Sequence, residues 1–256
     1  MSDAAHPQPP RPVGHYYPDA TDPQAPADVA VVMPTILRPC IATAVESVFR
    51  QTFAGRIQLL IGVDKAAETP TDLDAVLQRR PAAVSALVLT LPYSTSIRHG
   101  GVHPATDGGS LRSILSFMAN TRYVAYLDDD NSWEPEHLDG VMRAIQGKVW
   151  AYSLRMLIDE TNGRELGVDR WDSVGPNAGR FASQGGLVDP NCLLVDKLAA
   201  ARTFGRWSEG PGVTSDRNFF AAIREAPHGR VERATVRYGI RSSNVLNTFL
   251  RENTQF

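Results

Sequence analysis

The residues Tyr123–Pro135, YVAYLDDDNSWEP, end an apolar run in three adjacent carboxylates, Asp128, Asp129 and Asp130. Like charges this close repel, so a fold keeps them only where water, a cation or hydrogen-bond donors compensate. In a β-strand, residues two apart share a face. Extended geometry through the cluster would point Asp128 and Asp130 one way and Asp129 the other. Two convergent carboxylates beyond the carboxyl end of a strand suit a hard divalent cation such as Mg2+ or Mn2+. Such ions take oxygen ligands and commonly bridge a few carboxylates to phosphates. The plainer reading is a solvated acidic turn that starts the next helix. Asp64 repeats the arrangement at the end of IQLLIGVD. Two acids closing two strands on one sheet edge say more than either alone.

The elements that must carry these residues follow from periodicity. VAVVMP, IQLLIGVD, AVSALVLT and YVAYL are continuous apolar runs, the pattern of strands buried on both faces. Between them, Ile41, Ala44, Val45, Val48 and Phe49, then Leu111, Ile114, Leu115 and Met118, fall at helical spacing. TDLDAVLQRR reads as a short helix capped by Thr71, and PEHLDGVMRAI as a helix with Leu138, Val141, Met142 and Ile145 on one face. Strands alternating with helices over residues 28–146 predict an open, mostly parallel α/β sheet. Leu91–Gly109 is a long Gly-containing loop with His99 and His103, of the length functional loops have. His137 sits in a helical pattern and reads as solvent-exposed.

After residue 146 the pattern changes. VWAYSLRMLID alternates, and Asn162-Gly163 signals a hairpin. A Gly-rich loop, a strand-like GLVDPNCLLVD, a helix over SDRNFFAAIREA capped by Ser215 and a strand over RVERATVRYGI complete a mixed second part. The first 27 residues, rich in proline and poor in aliphatics, read as a disordered tail preceding one domain over 28–256.

The chain has 256 residues and a net charge of -2, which gives no support for bulk nucleic-acid binding. Two cysteines, Cys40 and Cys192, are too few for a disulfide framework or a zinc site. No run approaches the ~20 apolar residues of a membrane helix, and a cytoplasmic location is the expectation.

On these motifs, residues 28–155 resemble the nucleotide-binding half of family 2 glycosyltransferases, which have the GT-A fold. The match rests on Pro34-Thr35, Arg38, ESVFRQT, Asp64 in IGVD, Arg112 in GGSLRSI, and YLDDDNSWEPEHL. The resemblance implies a Rossmann-like α/β sheet with an acceptor-binding half over 156–256. It implies a UDP- or dTDP-sugar donor, a carbohydrate or other hydroxyl acceptor, and transfer with inversion. Pro34, Thr35, Arg38, Asp64, Arg112, Asp128 and Asp129 would bind the donor, and Asp128 and Asp130 would hold Mn2+ or Mg2+. Asp64 would accept from the imide N–H of the base. Asp216 in TSDRNFFAAI would be the general base; an acid in the first turn of a helix also has ordinary macrodipole chemistry. Asp169, Asp172 and Asp189 are the alternative bases. The chain departs from the family at Leu-Arg-Ser around Arg112, at DKAAE after Asp64, and at Ser215 before Asp216. Trp133, Trp171 and Trp207 can stack on sugar rings, although aromatics this large more often bury area. Two competing readings are a nucleotidyltransferase that makes nucleotide sugars, disfavoured because MPTILRPC lacks a Gly-rich phosphate loop, and a non-catalytic binding module.

Overall fold

The apolar runs form strands in a computed structural model that describes residues 14–22, 24–65, 72–212 and 214–240. The chain begins with strand β1 (Gly14–Tyr17), then β2 (Ala27–Thr35), helix α1 (Ile41–Phe49), β3 (Ile57–Val63), α2 (Leu73–Leu77) and β4 (Val84–Thr90). A loop leads to α3 (Gly109–Met118), β5 (Thr121–Tyr126), β6 (Ser132–Trp133) and α4 (His137–Ala144). The second part holds β7 (Trp150–Asp159), β8 (Glu165–Val168), β9 (Gly175–Pro176), β10 (Gly186–Leu187), β11 (Leu193–Asp196), α5 (Lys197–Ala200), α6 (Ser215–Ile223) and β12 (His228–Ile240).

One sheet runs β1-β4-β3-β2-β5-β11-β7-β12-β6, with β8 beside β7. The β4-β3-β2-β5 core is parallel, so its carboxyl ends, including those of β3 and β5, lie on one edge. β11 joins β5 and β7 antiparallel, which makes the second half mixed. Helices flank the sheet as the alternating pattern requires. The core is drawn from both halves, with Val31, Leu60 and Val124 beside Trp150, Leu194 and Phe219.

Four local expectations need correction. Gly14–Tyr17, assigned to the disordered tail, pairs with β4 as an edge strand. Its exposed-to-buried pattern is too short for periodicity to detect. Residues 1–13 lie outside the described residues, as does Thr71. The cap of α2 is Asp72, whose carboxylate accepts from the Ala75 N–H at 3.1 Å. His137 is fully buried, because it shares the inward stripe of α4 with Val141. Its Nδ1 lies 2.8 Å from the Thr235 hydroxyl, its ring stacks on Trp133, and burial pushes its pKa down to about 3, which keeps it neutral. Finally, β5 stops at Tyr126, and Asp129 and Asp130 enter a turn closed by the Asn131 N–H on the Asp128 carbonyl. The predicted two-and-one division of the aspartates therefore fails: all three line the same cavity.

Candidate active site

Beyond the carboxyl edge of the parallel core lies a cavity of about 440 Å³. Pro34, Thr35 and Arg38 line it from the end of β2, Asp64 from β3, Asp128, Asp129 and Asp130 from β5, and Arg112 from α3. These are all the donor-side residues expected from the sequence. The loop before α3 adds Thr95, Ser96, Arg98, His99 and Asp107. His103 does not line the cavity; its Nδ1 accepts from the Ala105 N–H.

The three aspartates share two arginines: Arg38 pairs with Asp129 and Asp130, and Arg112 with Asp128. Asp129 is almost fully buried, with Oδ2 accepting from the Thr35 hydroxyl at 2.6 Å and Oδ1 paired with Arg38. Burial pushes its pKa up, and Arg38 works against that. Thr35 also accepts from the Leu37 N–H, and Leu37 sits at φ 61°. A left-handed non-glycine residue costs of order 1–3 kcal/mol and persists where its surroundings over-determine it. The strained turn here presents Arg38, whose Nη2 reaches Asp130 at 3.3 Å. Asp128 pairs with the buried Arg112, and its Oδ2 accepts from Asn191 Nδ2 at 3.0 Å. Asp128 and Asp130 keep 26% and 22% of their side chains exposed, so both can still offer oxygen to a ligand.

The motif residues in the last turn of α1 and just after it have a structural task. Ser47 Oγ accepts from the Trp133 N–H, Gln51 bonds the Glu134 carbonyl and the Leu138 N–H, and Thr52 N donates to Pro135. Together they clamp the segment that follows the aspartates.

Asp64 is engaged by its own surroundings. Oδ1 accepts from the Thr95 N–H and hydroxyl, both at 2.7 Å, and Oδ2 from Ser94 at 2.6 Å. A carboxylate has about four acceptor sites, so three bonds leave one for a ligand. Its first effect is to anchor the loop that presents Arg98 and His99. Arg98 makes no side-chain ion pair or hydrogen bond among the described residues and faces the cavity. Sequence reasoning missed it because nothing in SIRHGGVH marks one loop arginine over another.

Two glycines shape the entrance to α3. Gly108 sits at φ 80°, and a Cβ on Gly109 would collide with the Trp207 carbonyl oxygen. Trp207 is fully buried and stacks on Phe219, and Trp133 is buried too. Neither is available to a sugar. Trp171 packs under the Arg180 guanidinium at 4.4 Å.

Asp216, in the first turn of α6, does not line the donor cavity, but it lies within the electrostatic reach of Asp189, Asp107 and Arg112. Burial pushes its pKa up to about 6; Asp189 and Asp107 add to this, while the Arg217 N–H and Arg112 oppose it. The alternative bases are occupied. The fully buried Arg155 donates to Asp169 at 2.8 Å, to Asp172 at 2.7 Å and to Asp189 at 2.6 Å, and its face lies on Tyr238. Asn191 Nδ2 donates to both Asp189 and Asp128, which ties this buried cluster to the back of the cavity through Asp128.

Five carboxylates and three guanidiniums line the cavity. Such a surface repels a polyanion unless a cation enters with it. Among the described residues no three His, Cys, Asp or Glu side chains converge to hold a metal by themselves. The donor set, two partly exposed carboxylates, fits an ion that takes its remaining oxygens from a bound phosphate or water.

No protein-family model matches the chain, and no curated protein matches its sequence. Solved structures do share its fold. TarS of S. aureus, a glycosyltransferase, superposes with a TM-score of 0.61 at 16% identity, over 83% of this chain and 37% of that one. TarS 1–349 in complex with UDP-GlcNAc gives 0.62 at 13% identity, over 86% and 61%. The mannosyltransferase PcManGT from Pyrobaculum calidifontis, in complex with GDP-Man and Mn2+, gives 0.58 at 11% identity, over 92% and 63%. This chain therefore spans less than two thirds of each neighbour's length. The α/β architecture is that of these glycosyltransferases.

Proposed function

We propose that the protein is a metal-dependent, inverting glycosyltransferase of the GT-A, family 2 type. It would transfer a sugar from a nucleotide diphosphate to an acceptor hydroxyl. The observation that carries this is the cavity at the ends of β2, β3 and β5. It gathers the donor-side residues of the resemblance in one place, and its negative lining calls for a cation beside a diphosphate. The fold shared with proteins that bind UDP-GlcNAc, or GDP-Man with Mn2+, supports the same reading.

Asp128 and Asp130 would hold Mn2+ or Mg2+. When bound, the ion neutralises the diphosphate and so improves it as a leaving group. Arg112 fixes Asp128, and Arg38 steadies Asp129 and Asp130. Thr35 orients the Asp129 carboxylate. Arg98 is placed to meet phosphate or base carbonyl oxygens, and the remaining acceptor site of Asp64 would serve an imide N–H of uracil or thymine. Asp216 would take the proton of the attacking hydroxyl. A carboxylate with its pKa raised to about 6 is ionised at neutral pH yet more basic than a free aspartate. A single displacement of this kind needs no covalent nucleophile and inverts the anomeric centre.

The test is a panel of UDP, dTDP, GDP and CDP sugars assayed for hydrolysis and for transfer to p-nitrophenyl glycosides, with Mn2+ or with EDTA. Metal-dependent release of a nucleoside diphosphate is expected. Formation of a nucleotide sugar from a sugar phosphate and a nucleoside triphosphate would instead favour a nucleotidyltransferase.

A further inference from the structure

The helix that carries Asp216 has no side-chain cap of its own: Thr214, at its N-cap, makes no capping hydrogen bond. The expected cap, Ser215, lies inside the helix. The missing acceptor comes from 108 residues away, where Asp107 Oδ2 accepts from the Ser215 N–H at 3.2 Å and from its hydroxyl at 2.6 Å. The neighbouring backbone is stitched as well. Thr106 N donates to the Gly212 carbonyl at 2.8 Å, and Gly212 N to the Pro104 carbonyl at 2.9 Å. Asp107 also lines the donor cavity, and its carbonyl accepts from Arg112 Nη1 at 2.6 Å. The other end of the same guanidinium holds Asp128. One residue thus touches the cavity, the arginine that fixes Asp128, and the start of the base-bearing helix.

We propose that Asp107 is a positioning residue that seats α6 on the donor loop, so that nucleotide binding and the placement of Asp216 are mechanically coupled. The inference rests on the donor-site reading above. Its physical basis is that an acceptor at a helix N-terminus orders the first turn, and removing it loosens that turn. A ligand that orders residues 104–109 from the cavity side then orders the first turn of α6 through Asp107. Asp107 also contributes negative charge to the surroundings of Asp216, together with Asp189 and against Arg112.

Hydrogen exchange reads the coupling without any acceptor substrate. In the wild type, UDP or GDP with Mn2+ should slow exchange at the amides of residues 215–219 at least tenfold, alongside those of residues 128–131. In Asp107→Ala, with nucleotide and Mn2+ raised until residues 128–131 are protected as in the wild type, residues 215–219 should stay unprotected. Asp107→Asn keeps an acceptor oxygen and should restore much of the protection. It also removes a negative neighbour of Asp216, so the acid limb of the pH–rate profile should move to lower pH. Should Asp107→Ala fail to fold, Ser215→Ala, which removes the hydroxyl bond alone, should reduce the ligand-dependent protection of α6 severalfold. Full protection of residues 215–219 in both Asp107→Ala and Ser215→Ala overturns the proposal. Asp107→Ala unfolded with Ser215→Ala fully protected overturns it as well. A nucleotide that protects residues 128–131 but never 215–219 in the wild type overturns it while leaving the donor site standing. Protection of neither segment overturns the donor-site reading and this inference together.

Discussion

Replacing Asp216 with asparagine separates a base from an ordinary helix-start acid by the sign of the stability change. Asn keeps the shape and can still accept from the Arg217 N–H, which the carboxylate does at 2.7 Å. It cannot carry charge. The folded-state pKa of about 6 lies roughly two units above the 3.8 of an unperturbed aspartate, because burial, Asp189 and Asp107 outweigh Arg217 N–H and Arg112. A group whose folded pKa is raised binds more protons folded than unfolded between those two values. Stability therefore falls as pH rises through that window and stays lower above it. At about 1.4 kcal/mol per unit the cost at neutral pH is at most ~3 kcal/mol, and solvent screening of a partly exposed group reduces it to about 1–2. Asp216→Asn should thus raise the melting temperature at pH 7.5 by ~2–8 °C, at ~2–4 °C per kcal/mol for a chain of this size. The gain should shrink toward zero as pH is lowered below 4. Transfer should fall at least ~100-fold, the scale of general-base removal. Differential scanning fluorimetry from pH 4 to 8 and a transfer assay give both numbers. A mutant that is less stable at pH 7.5 by the ~0.3–1 kcal/mol of a lost macrodipole contact, and active at the wild-type rate, makes Asp216 a helix-start acid and not the base.

The remaining predictions concern the donor side and the second half. In the wild type, kcat/KM should decline below pH about 6 as Asp216 protonates; a profile flat to pH 5 argues against it as base. Arg98→Ala should leave thermal stability unchanged and weaken nucleoside diphosphate binding by ~1.5–3 kcal/mol, the worth of a charged hydrogen bond, measured by calorimetry. Asp64→Ala should release Ser94 and Thr95, so UDP affinity should fall together with protease resistance of residues 94–103; loss of affinity with the loop still protected would favour direct base contact instead. Arg155→Met should destabilise by ~3–5 kcal/mol, because it leaves the carboxylates of Asp169, Asp172 and Asp189 without their buried cation; a urea midpoint near wild type would contradict this.

Much of the fold was legible because its core signals are local. A strand buried on both faces must be a continuous apolar run, and β2, β3, β4 and β5 read as such. The strand-end acids were visible for the same reason. What the sequence concealed depends on residues far apart in the chain. Arg155 and its three aspartates are separated by 14, 17 and 34 positions and meet only when β7 is in the sheet. Asp107 as the cap of α6 is a contact between the two halves, 108 positions apart. His137 is polar, and polarity overrode a spacing that placed it on the buried stripe. The equal alternation expected of the aspartates failed because a turn, set by the Asn131 N–H on the Asp128 carbonyl, interrupts the strand.

The proposed function requires the cavity over β2, β3 and β5 to bind a nucleotide diphosphate together with a divalent cation on Asp128 and Asp130. Its most direct measurement is a thermal-shift titration of wild type and Asp130→Asn with UDP, dTDP, GDP and CDP, each with Mn2+ or EDTA. At 100 times its dissociation constant a ligand stabilises by ~2.7 kcal/mol. A shift of that order is expected for at least one nucleotide in the wild type with Mn2+, little shift with EDTA, and none in Asp130→Asn. Equal shifts with and without metal, or an Asp130→Asn protein that responds as the wild type does, would contradict it.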